Sequence, residues 1–259
     1  MGFFGQVSVL VITHNEAANI GRTLDAIRLA RKILIVDSGS TDETLEIVRR
    51  HPNTQIVERA FDSFAEQCNF GLARLPPGWV LSLDADYELS ADLVAEIDKL
   101  APSEAICGYS ASFVYRIHGK ALRSTLYPPR TVLYRRERAS YRNEGHGHRV
   151  VIDGTVGKLA APIYHDDRKP LSRWLSSQQG YAKREATHLL AAPPGTLRRT
   201  DRIRLMAWPA PILVFFYTLL IKRCLFDGWA GWLYVLQRTL AELLIAIEIV
   251  DRRLLGRRS

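Results

Sequence analysis

The first hundred residues alternate between short apolar runs and segments with helical spacing. The apolar runs cover residues 7–13, 33–36, 55–58 and 80–83. Segments between these runs place apolar residues every three to four positions, which is the spacing of one face of a helix. Strands that alternate with helices in this way form βαβ units and a parallel, doubly wound sheet. We therefore predict an α/β fold for this part of the chain.

Local signals place the starts of two of these helices. Ser40 is followed three residues later by Glu43, which is the spacing of a capping box and predicts a helix that begins there. Ser90 precedes a short amphipathic segment after the fourth strand, and its hydroxyl is expected to cap the N-terminus of that segment.

The pattern changes after Pro102. Residues 109–117, 131–135, 149–152 and 158–164 have strand character with no helices between them, which predicts an antiparallel extension of the sheet. Helical spacing then runs from Ser172 to about residue 190, where the sequence A-P-P-G breaks it. We predict a catalytic domain over residues 1–170 and a helical region over residues 171–259.

The last sixty residues combine arginines with aromatic and aliphatic side chains. Four arginines precede an apolar run over residues 208–221, which holds two prolines and is short for a bilayer span: Arg198, Arg199, Arg202 and Arg204. A basic, aromatic and amphipathic region of this kind suits an anionic membrane surface. The alternative is that these helices pack on the catalytic domain or on a second subunit of a homo-oligomer.

The net charge of +8 indicates an anionic partner. The basic residues of the last sixty positions adjoin apolar aromatic residues and form no stripe on a recognised nucleic-acid module. We therefore expect no nucleic-acid partner. Three scattered cysteines match neither a disulfide framework nor a zinc site. The first residues lack the basic segment of a signal peptide. These observations predict a protein on the cytosolic side of the membrane.

Three of the predicted strands end in polar residues. The sequence T-H-N-E starts at Thr13, D-S-G-S starts at Asp37, and D-A-D starts at Asp84. Because the carboxyl ends of parallel strands meet at one edge of a sheet, these residues are expected to form one crevice. A carboxylate pair there can hold a hard divalent cation and, through it, a phosphate. Each segment alone could instead be an ordinary turn or cap.

These motifs resemble a known family. The sequences V-L-V-I-T-H-N-E, I-L-I-V-D-S-G-S-T-D-E-T and L-S-L-D-A-D are similar to the nucleotide-sugar domain of family 2 inverting glycosyltransferases, over about residues 7–100. More narrowly, they resemble lipopolysaccharide-core β-glucosyltransferases and related enzymes of cell-surface polysaccharides. The resemblance implies a GT-A fold and a nucleotide-sugar substrate.

The resemblance also implies roles for single residues. Asp37 would accept a hydrogen bond from the nucleobase, which is expected to be uracil. Asp84 would contact the ribose or a metal-bound water, and Asp86 would bind Mg²⁺ or Mn²⁺ across the diphosphate. The remaining donor-site residues would line the nucleoside pocket: Thr13, Asn15, Glu16, Ser38 and Ser40. Where the family often has an acid directly after the second aspartate, this chain has Tyr87, followed by Glu88.

An inverting transfer needs a base that deprotonates the acceptor hydroxyl. In the related enzymes this base is an acid beyond the metal motif, and Glu144 is the candidate here. Asp153 and Asp166 are the alternatives. His165, which ends a predicted strand, is the candidate distal metal ligand, with a purely structural histidine as the alternative.

Further basic residues surround these candidates. His146 and His148 flank a glycine and are interpreted as loop residues. Arg130, Arg135 and Arg136 could hold a diphosphate or an anionic acceptor, or form the solvated face of a strand. Of these three, Arg130 is the predicted substrate-binding residue.

With these features, the resemblance implies a metal-dependent inverting hexosyltransferase that uses a UDP-sugar and a lipid-linked glycan acceptor, such as lipopolysaccharide core or an exopolysaccharide intermediate. We expect it to act peripherally at the cytosolic face of the bacterial inner membrane. One alternative is a polyprenyl-phosphate glycosyltransferase of the same fold, which needs no base. A non-catalytic membrane or nucleic-acid binding protein is the alternative of another class. A nucleotidyltransferase is disfavoured, because no glycine-rich basic loop follows the first strand.

Overall fold

The computed structural model of the chain describes residues 2–144 and 147–256. It divides into two compact units, of which the first comprises residues 1–116 and 127–168 and the second comprises residues 117–126 and 169–259. The first unit carries the α/β sheet, and the second is mainly helical.

The described residues form thirteen strands: β1 (Ser8–Thr13), β2 (Lys32–Asp37), β3 (Thr54–Glu58), β4 (Trp79–Asp84), β5 (Tyr87–Leu89), β6 (Ile106–Ala111), β7 (Phe113–Ile117), β8 (Lys120–Ala121), β9 (Arg130–Arg135), β10 (Ala139–Glu144), β11 (Gly147–Ile152), β12 (Thr155–Lys158) and β13 (Ile163–His165). The described helices of the first unit are α1 (Ile20–Ala26), α2 (Thr44–Arg49), α3 (Phe64–Leu72) and α4 (Ala91–Asp98).

The central sheet has the strand order β12-β6-β9-β4-β1-β2-β3 within the described residues. Strand β1 pairs in parallel with both β2 and β4. Its Val9, Leu10 and Val11 are completely buried, because helices cover a parallel sheet on both faces. The predicted α/β fold with a mostly parallel sheet is confirmed.

Strand β9 breaks the parallel order. It runs antiparallel to β4 on one side and to β6 on the other. A separate hairpin joins β10 and β11, and β13 lies between β5 and β7 in a smaller sheet. These strands form the antiparallel extension that follows the helical alternation.

Two predicted strands are each divided in the structure. The run over residues 109–117 is split at Ser112 into β6, which joins the central sheet, and β7, which joins the smaller one. The run over residues 158–164 is split between β12 and β13. Pro162 lies in that gap, and a proline has no N–H with which to continue a strand ladder.

The prediction of a capping box at Ser40 is wrong. Helix α2 begins at Thr44, and the Ser40 hydroxyl bonds instead to Asp37 and to the backbone of Asn15. The prediction for Ser90 is confirmed, because its Oγ accepts a hydrogen bond of 3.1 Å from the N–H of Leu93.

The described α-helices of the second unit are α5 (Leu171–Ala191), α6 (Arg199–Leu205), α7 (Pro209–Phe216) and α8 (Gly228–Leu255). Helices α5 and α8 share an apolar cluster that includes Ala186, Leu189 and Ile249. Within the described residues no single helix is long and apolar enough to cross a membrane, although the segments Pro209–Ile221 and Cys224–Leu255, bent by 67°, meet the length and composition criteria as a pair.

A buried ion network joins three helices of this unit. Arg204 on α6 donates to Glu242 on α8, with Nε 2.9 Å from Oε2. Its Nη1 lies 3.1 Å from Oε1 of Glu185 on α5. Burial lowers the pKa of Arg204, but the hydrogen bond and charge of Glu242 outweigh this, so its pKa is raised. The guanidinium therefore neutralises two buried carboxylates.

Replacing Arg204 with alanine should destabilise the protein by about 3–5 kcal/mol, because both glutamates would be left buried without their partner. The free energy of unfolding, measured by urea denaturation, tests this. Arg202→Ala is the matched control on the same helix, since Arg202 is exposed and should contribute little. Equal losses for the two variants would contradict the assigned role of the network.

Candidate active site

The register of the parallel strands brings three polar strand ends to one edge of the sheet. Thr13 at the end of β1 pairs with Asp37 at the end of β2. On its other side β1 pairs Ile12 with Asp84 at the end of β4. The backbone continues this link beyond the strands, since the N–H of Ser38 donates to the carbonyl of Thr13 at 2.9 Å. The three strand ends that were predicted to form the crevice therefore lie side by side.

Asn15 connects the end of β1 to the loop that follows β2. Its φ of 55° lies in the left-handed region, which asparagine adopts more readily than most residues. In this conformation its N–H donates to Ser40 Oγ at 2.8 Å. Its side-chain Oδ1 accepts from the N–H of Thr41 at 2.7 Å and of Asp42 at 3.2 Å. Asn15 thus holds the loop after β2 in place.

Asp37 organises that loop from within. Its side chain is completely buried, and Oδ2 accepts from the N–H groups of Gly39 and Ser40, each at 2.8 Å. Oδ1 accepts from the Ser40 hydroxyl at 2.5 Å. Gly39 has a φ of 84°, a conformation that costs glycine little. These bonds hold the loop, and because the side chain is completely buried, none of its surface is exposed for the predicted bond to a nucleobase.

Replacing Ser40 with alanine should destabilise the protein by about 1–3 kcal/mol, because the N–H of Asn15 and one oxygen of Asp37 would each lose a partner. Thermal unfolding followed by circular dichroism measures the effect. Ser103→Ala, at an exposed loop position, is the control. A Ser40 variant as stable as the control would show that the two loops do not depend on this hydroxyl.

The remaining predicted nucleoside residues have different surroundings. The buried Thr13 hydroxyl has no hydrogen-bond partner within the described residues. Ser38 Oγ accepts from Gln67 Nε2 at 2.9 Å. Glu16 turns toward α1, where its Oε2 accepts from Asn19 Nδ2 at 2.9 Å. Of these three, Glu16 is therefore engaged in holding the start of α1.

Asp86 and His165 meet beyond the end of β4. Pairing of β13 with β5 sets His165 opposite Tyr87, and His165 Nε2 lies 3.0 Å from Asp86 Oδ2. Burial lowers the pKa of His165, but the charge of Asp86 and its hydrogen bond outweigh this, so the pKa is raised above its ordinary value. His165 Nδ1 is buried with no partner among the described residues. The two predicted metal ligands are thus in direct contact.

Aromatic rings surround His165. The centroids of Tyr115, Tyr127 and Tyr87 lie 4.6, 5.1 and 5.2 Å from that of the imidazole. The hydroxyls of Tyr87 and Tyr127 are hydrogen-bonded to each other. Burial and the nearby charge of Asp84 raise the pKa of Tyr87, so this phenol stays protonated. The position where the family often has an acid is thus a neutral hydroxyl within an aromatic cluster.

Arg130 brings a positive charge to this edge. Arg130 is the first residue of β9, which pairs antiparallel with β4, and it is close enough to Asp84 for the two charges to interact. Its guanidinium lies 4.7 Å from the centroid of the Tyr127 ring. Burial lowers its pKa, but the neighbouring tyrosines and Asp84 raise it overall. Arg130 therefore remains charged beside the carboxylates.

The other two arginines considered with Arg130 lie at the opposite edge of the sheet. Arg135 Nε donates to the carbonyl of Ile106 at 3.2 Å, and Arg136 Nη1 donates to the carbonyl of Leu75. Both arginines are level with the start of β4, where the backbone N–H of Arg136 also bonds to Gly78. They secure loops there, and the structure separates them from the predicted crevice.

The candidate bases differ in what the structure shows of them. Glu144 is the last residue of β10 and pairs with Gly147, while its side chain lies outside the described residues. Asp153 is 81% exposed and pairs with Arg138 at 2.9 Å. Asp166 is completely buried, with Oδ2 2.9 Å from Arg168 Nε. The carboxylates of Asp153 and Asp166 are therefore each paired with an arginine.

His148 is a feature that sequence reasoning missed. The interpretation as a loop residue is wrong, because it lies within β11 and pairs with Asn143. Its ring packs 5.3 Å from that of Tyr141. Burial lowers the pKa of His148, and of the two nearby charges Asp84 raises it and Arg130 lowers it, with a lowered pKa as the result. This neutral imidazole is within electrostatic reach of the crevice. His146 lies outside the described residues.

The chain matches the model of glycosyl transferase family 2 over residues 8–152. A glycosyltransferase of Rickettsia bellii is 31% identical over 244 residues, which cover 88% of this chain and 80% of that one. The lipopolysaccharide core biosynthesis glycosyltransferase LpsC of Rhizobium meliloti is 30% identical over 110 residues, 40% of each chain. A crystal structure of glucosyl-3-phosphoglycerate synthase from Mycobacterium tuberculosis aligns with a TM-score of 0.49 at 18% identity and covers 71% of this chain and 79% of that one. The family match and the Rickettsia relative confirm the resemblance: the chain belongs to glycosyl transferase family 2 and is a glycosyltransferase.

Proposed function

We propose that the protein is a metal-dependent inverting hexosyltransferase that moves a sugar from a UDP-sugar to a lipid-linked glycan at the cytosolic face of the bacterial inner membrane. The observation that carries this proposal is the register that sets Thr13, Asp37 and Asp84 at one sheet edge. Such an edge is where open α/β sheets bind nucleotides. The similarity to LpsC supports an acceptor of the lipopolysaccharide-core or exopolysaccharide type.

Asp86 and His165 are the side chains beyond the end of β4 that would hold a divalent cation. Asp86 Oδ2 and His165 Nε2 point at each other across 3.0 Å, and Asp84 lies two residues before Asp86. Over residues 2–144 and 147–256, no group of three or more His, Cys, Asp or Glu side chains is arranged to hold a metal. Mg²⁺ and Mn²⁺ sites in which substrate phosphates and water complete the coordination need only one or two protein carboxylates. When bound, the cation would neutralise charge that develops on the leaving diphosphate.

The residues of the chain divide the remaining work. The loop held by Asn15 and Asp37 would bind the nucleoside, with the uracil preference supported by the family resemblance. Arg130, which is charged and partly buried, would attract the diphosphate. Glu144 would take the proton from the acceptor hydroxyl as the new glycosidic bond forms and the bond to the diphosphate breaks.

A screen of sugar nucleotides tests this function. The purified full chain, supplied with membrane extract as acceptor, is incubated with UDP- or GDP-hexoses and with Mg²⁺, Mn²⁺ or EDTA, and released nucleoside diphosphate is measured. We expect turnover of a UDP-hexose that disappears with EDTA. Turnover of GDP-sugars alone, or turnover unaffected by EDTA, would contradict the donor or the metal requirement respectively.

A further inference from the structure

The second unit exposes an apolar stripe along the whole of α8. Its residues recur at intervals of three, four or seven positions, which keeps them on one side of a helix. Each is at least 40% exposed. The residues that define the stripe are Trp229, Trp232, Leu236, Leu243, Ile247 and Leu254. A soluble helix normally turns such a stripe inward.

This stripe is not the face by which α8 packs in the second unit. That role belongs to the opposite side, where Val235, Ile245 and Ile249 are buried and Ile245 and Ile249 contact α5. Helix α8 therefore has two apolar sides, one of which stabilises the unit while the other faces solvent.

Helix α7 and Trp208, which directly precedes it, also expose apolar side chains. Trp208, Ile212 and Phe216 follow one another at four-residue spacing and are 71%, 51% and 53% exposed. Most of the exposed large apolar side chains of the described residues lie between Met206 and Leu255. Apolar patches of this extent on monomers usually mark a site of interaction with a protein or a membrane.

The charges around this surface have one dominant sign. Over residues 197–256 the exposed charged side chains are Asp251 and five arginines: Arg198, Arg199, Arg202, Arg223 and Arg253. The acidic residues Asp227 and Glu242 are buried and bind Arg123 and Arg204. The exposed charges of these residues are therefore mainly positive, and together with the exposed tryptophans of the same unit they suit an anionic lipid interface.

We propose that the exposed stripe of α8 and the exposed side of α7 dock on an anionic lipid bilayer. A second copy of the chain fits less well. The only exposed charges on the described length of α8 are Asp251 and Arg253, near its C-terminal end, whereas helices that pair through such a stripe usually carry charges of both signs along their whole length. The exposed arginines of two copies would also repel each other. This inference rests on the membrane location in the proposed function and not on which sugar nucleotide the enzyme uses.

Vesicle flotation of the full chain tests the proposal. We expect binding to vesicles of phosphatidylethanolamine and phosphatidylglycerol, weaker binding to pure phosphatidylcholine, and a loss of binding as salt is raised. The variant Leu236→Gln/Ile247→Gln should reduce the bound fraction at least tenfold, because two apolar side chains would no longer enter the bilayer. The control Leu29→Gln/Phe61→Gln changes equally exposed apolar residues of the first unit and should bind normally.

A second pair of variants tests the charges. Arg199→Gln/Arg202→Gln should weaken binding to the anionic vesicles only, whereas Arg49→Gln/Arg50→Gln, which removes two exposed arginines of the first unit, should have little effect. Circular dichroism checks that each variant is folded. Unchanged flotation of the folded Leu236→Gln/Ile247→Gln variant would overturn the proposal. So would light scattering that shows a dimer of the full chain, converted to a monomer by that variant. Release of nucleoside diphosphate from the sugar donor is measured in parallel with a soluble acceptor. This distinguishes a failure of membrane docking from a failure of the proposed activity.

Discussion

Replacing Asp86 with asparagine is expected to lower the rate of sugar transfer by about 10²–10³-fold, because the proposed cation would lose its charged ligand while the shape of the side chain is kept. Asp86 already lies against His165 at the end of β4, so the loss should concern charge more than packing. The measurement is UDP release in the presence of acceptor.

Calorimetry with UDP separates this explanation from a general loss of structure. Mn²⁺ should strengthen UDP binding by the wild type and leave binding by the variant nearly unchanged. Asp92→Asn is the control, because Asp92 is an exposed aspartate on α4 and lies outside the crevice. If the Asp86 variant kept both its activity and its metal dependence, Asp86 would not be the metal ligand.

Replacing Glu144 with glutamine should slow transfer to a hydroxyl acceptor by about 10²–10⁴-fold, because glutamine cannot accept the proton. UDP binding should be retained, since the base acts on the acceptor. The quantities to compare are kcat for transfer and the Kd for UDP. Glu104→Gln, an exposed glutamate before β6, is the control and should leave both unchanged.

The result also discriminates between acceptor classes. A phosphate acceptor is already nucleophilic and needs no base, so full activity of the Glu144 variant would favour transfer to a polyprenyl phosphate. Full loss in Asp153→Asn instead would assign the base to that exposed residue. Loss of UDP binding in the Glu144 variant would show that this residue acts on the donor.

The strand ends could be predicted from the sequence because they depend on residues that are neighbours along the chain. Buried β-strands end where apolar runs end, and parallel pairing alone brings Thr13, Asp37 and Asp84 together. Strand β1 begins one residue after its predicted run, and β2 and β4 extend one residue beyond theirs at each end. The roles of the individual side chains in binding and catalysis remain predictions.

Other parts of the crevice depend on contacts that have no local signal. The spacing of Ser40 and Glu43 is that of a capping box, yet the Ser40 hydroxyl accepts a hydrogen bond from the backbone N–H of Asn15, twenty-five residues away. The tyrosines around His165 come from three separate segments of the chain. The position of Arg130 depends on the insertion of β9 between β6 and β4, a strand order that no periodicity in the sequence specifies. These features required the tertiary structure.

The insertion of β9 beside β4 has a consequence for how the chain folds. Residues 2–100 contain all three family motifs, yet within them β4 has a partner only on its β1 side. During synthesis its other edge, which carries the buried Val80 and Leu81, stays open until residues 130–135 have been made and can pair with it. An open, apolar edge strand invites association with other chains. We therefore expect that residues 2–100 do not fold on their own and that a fragment ending before β9 aggregates.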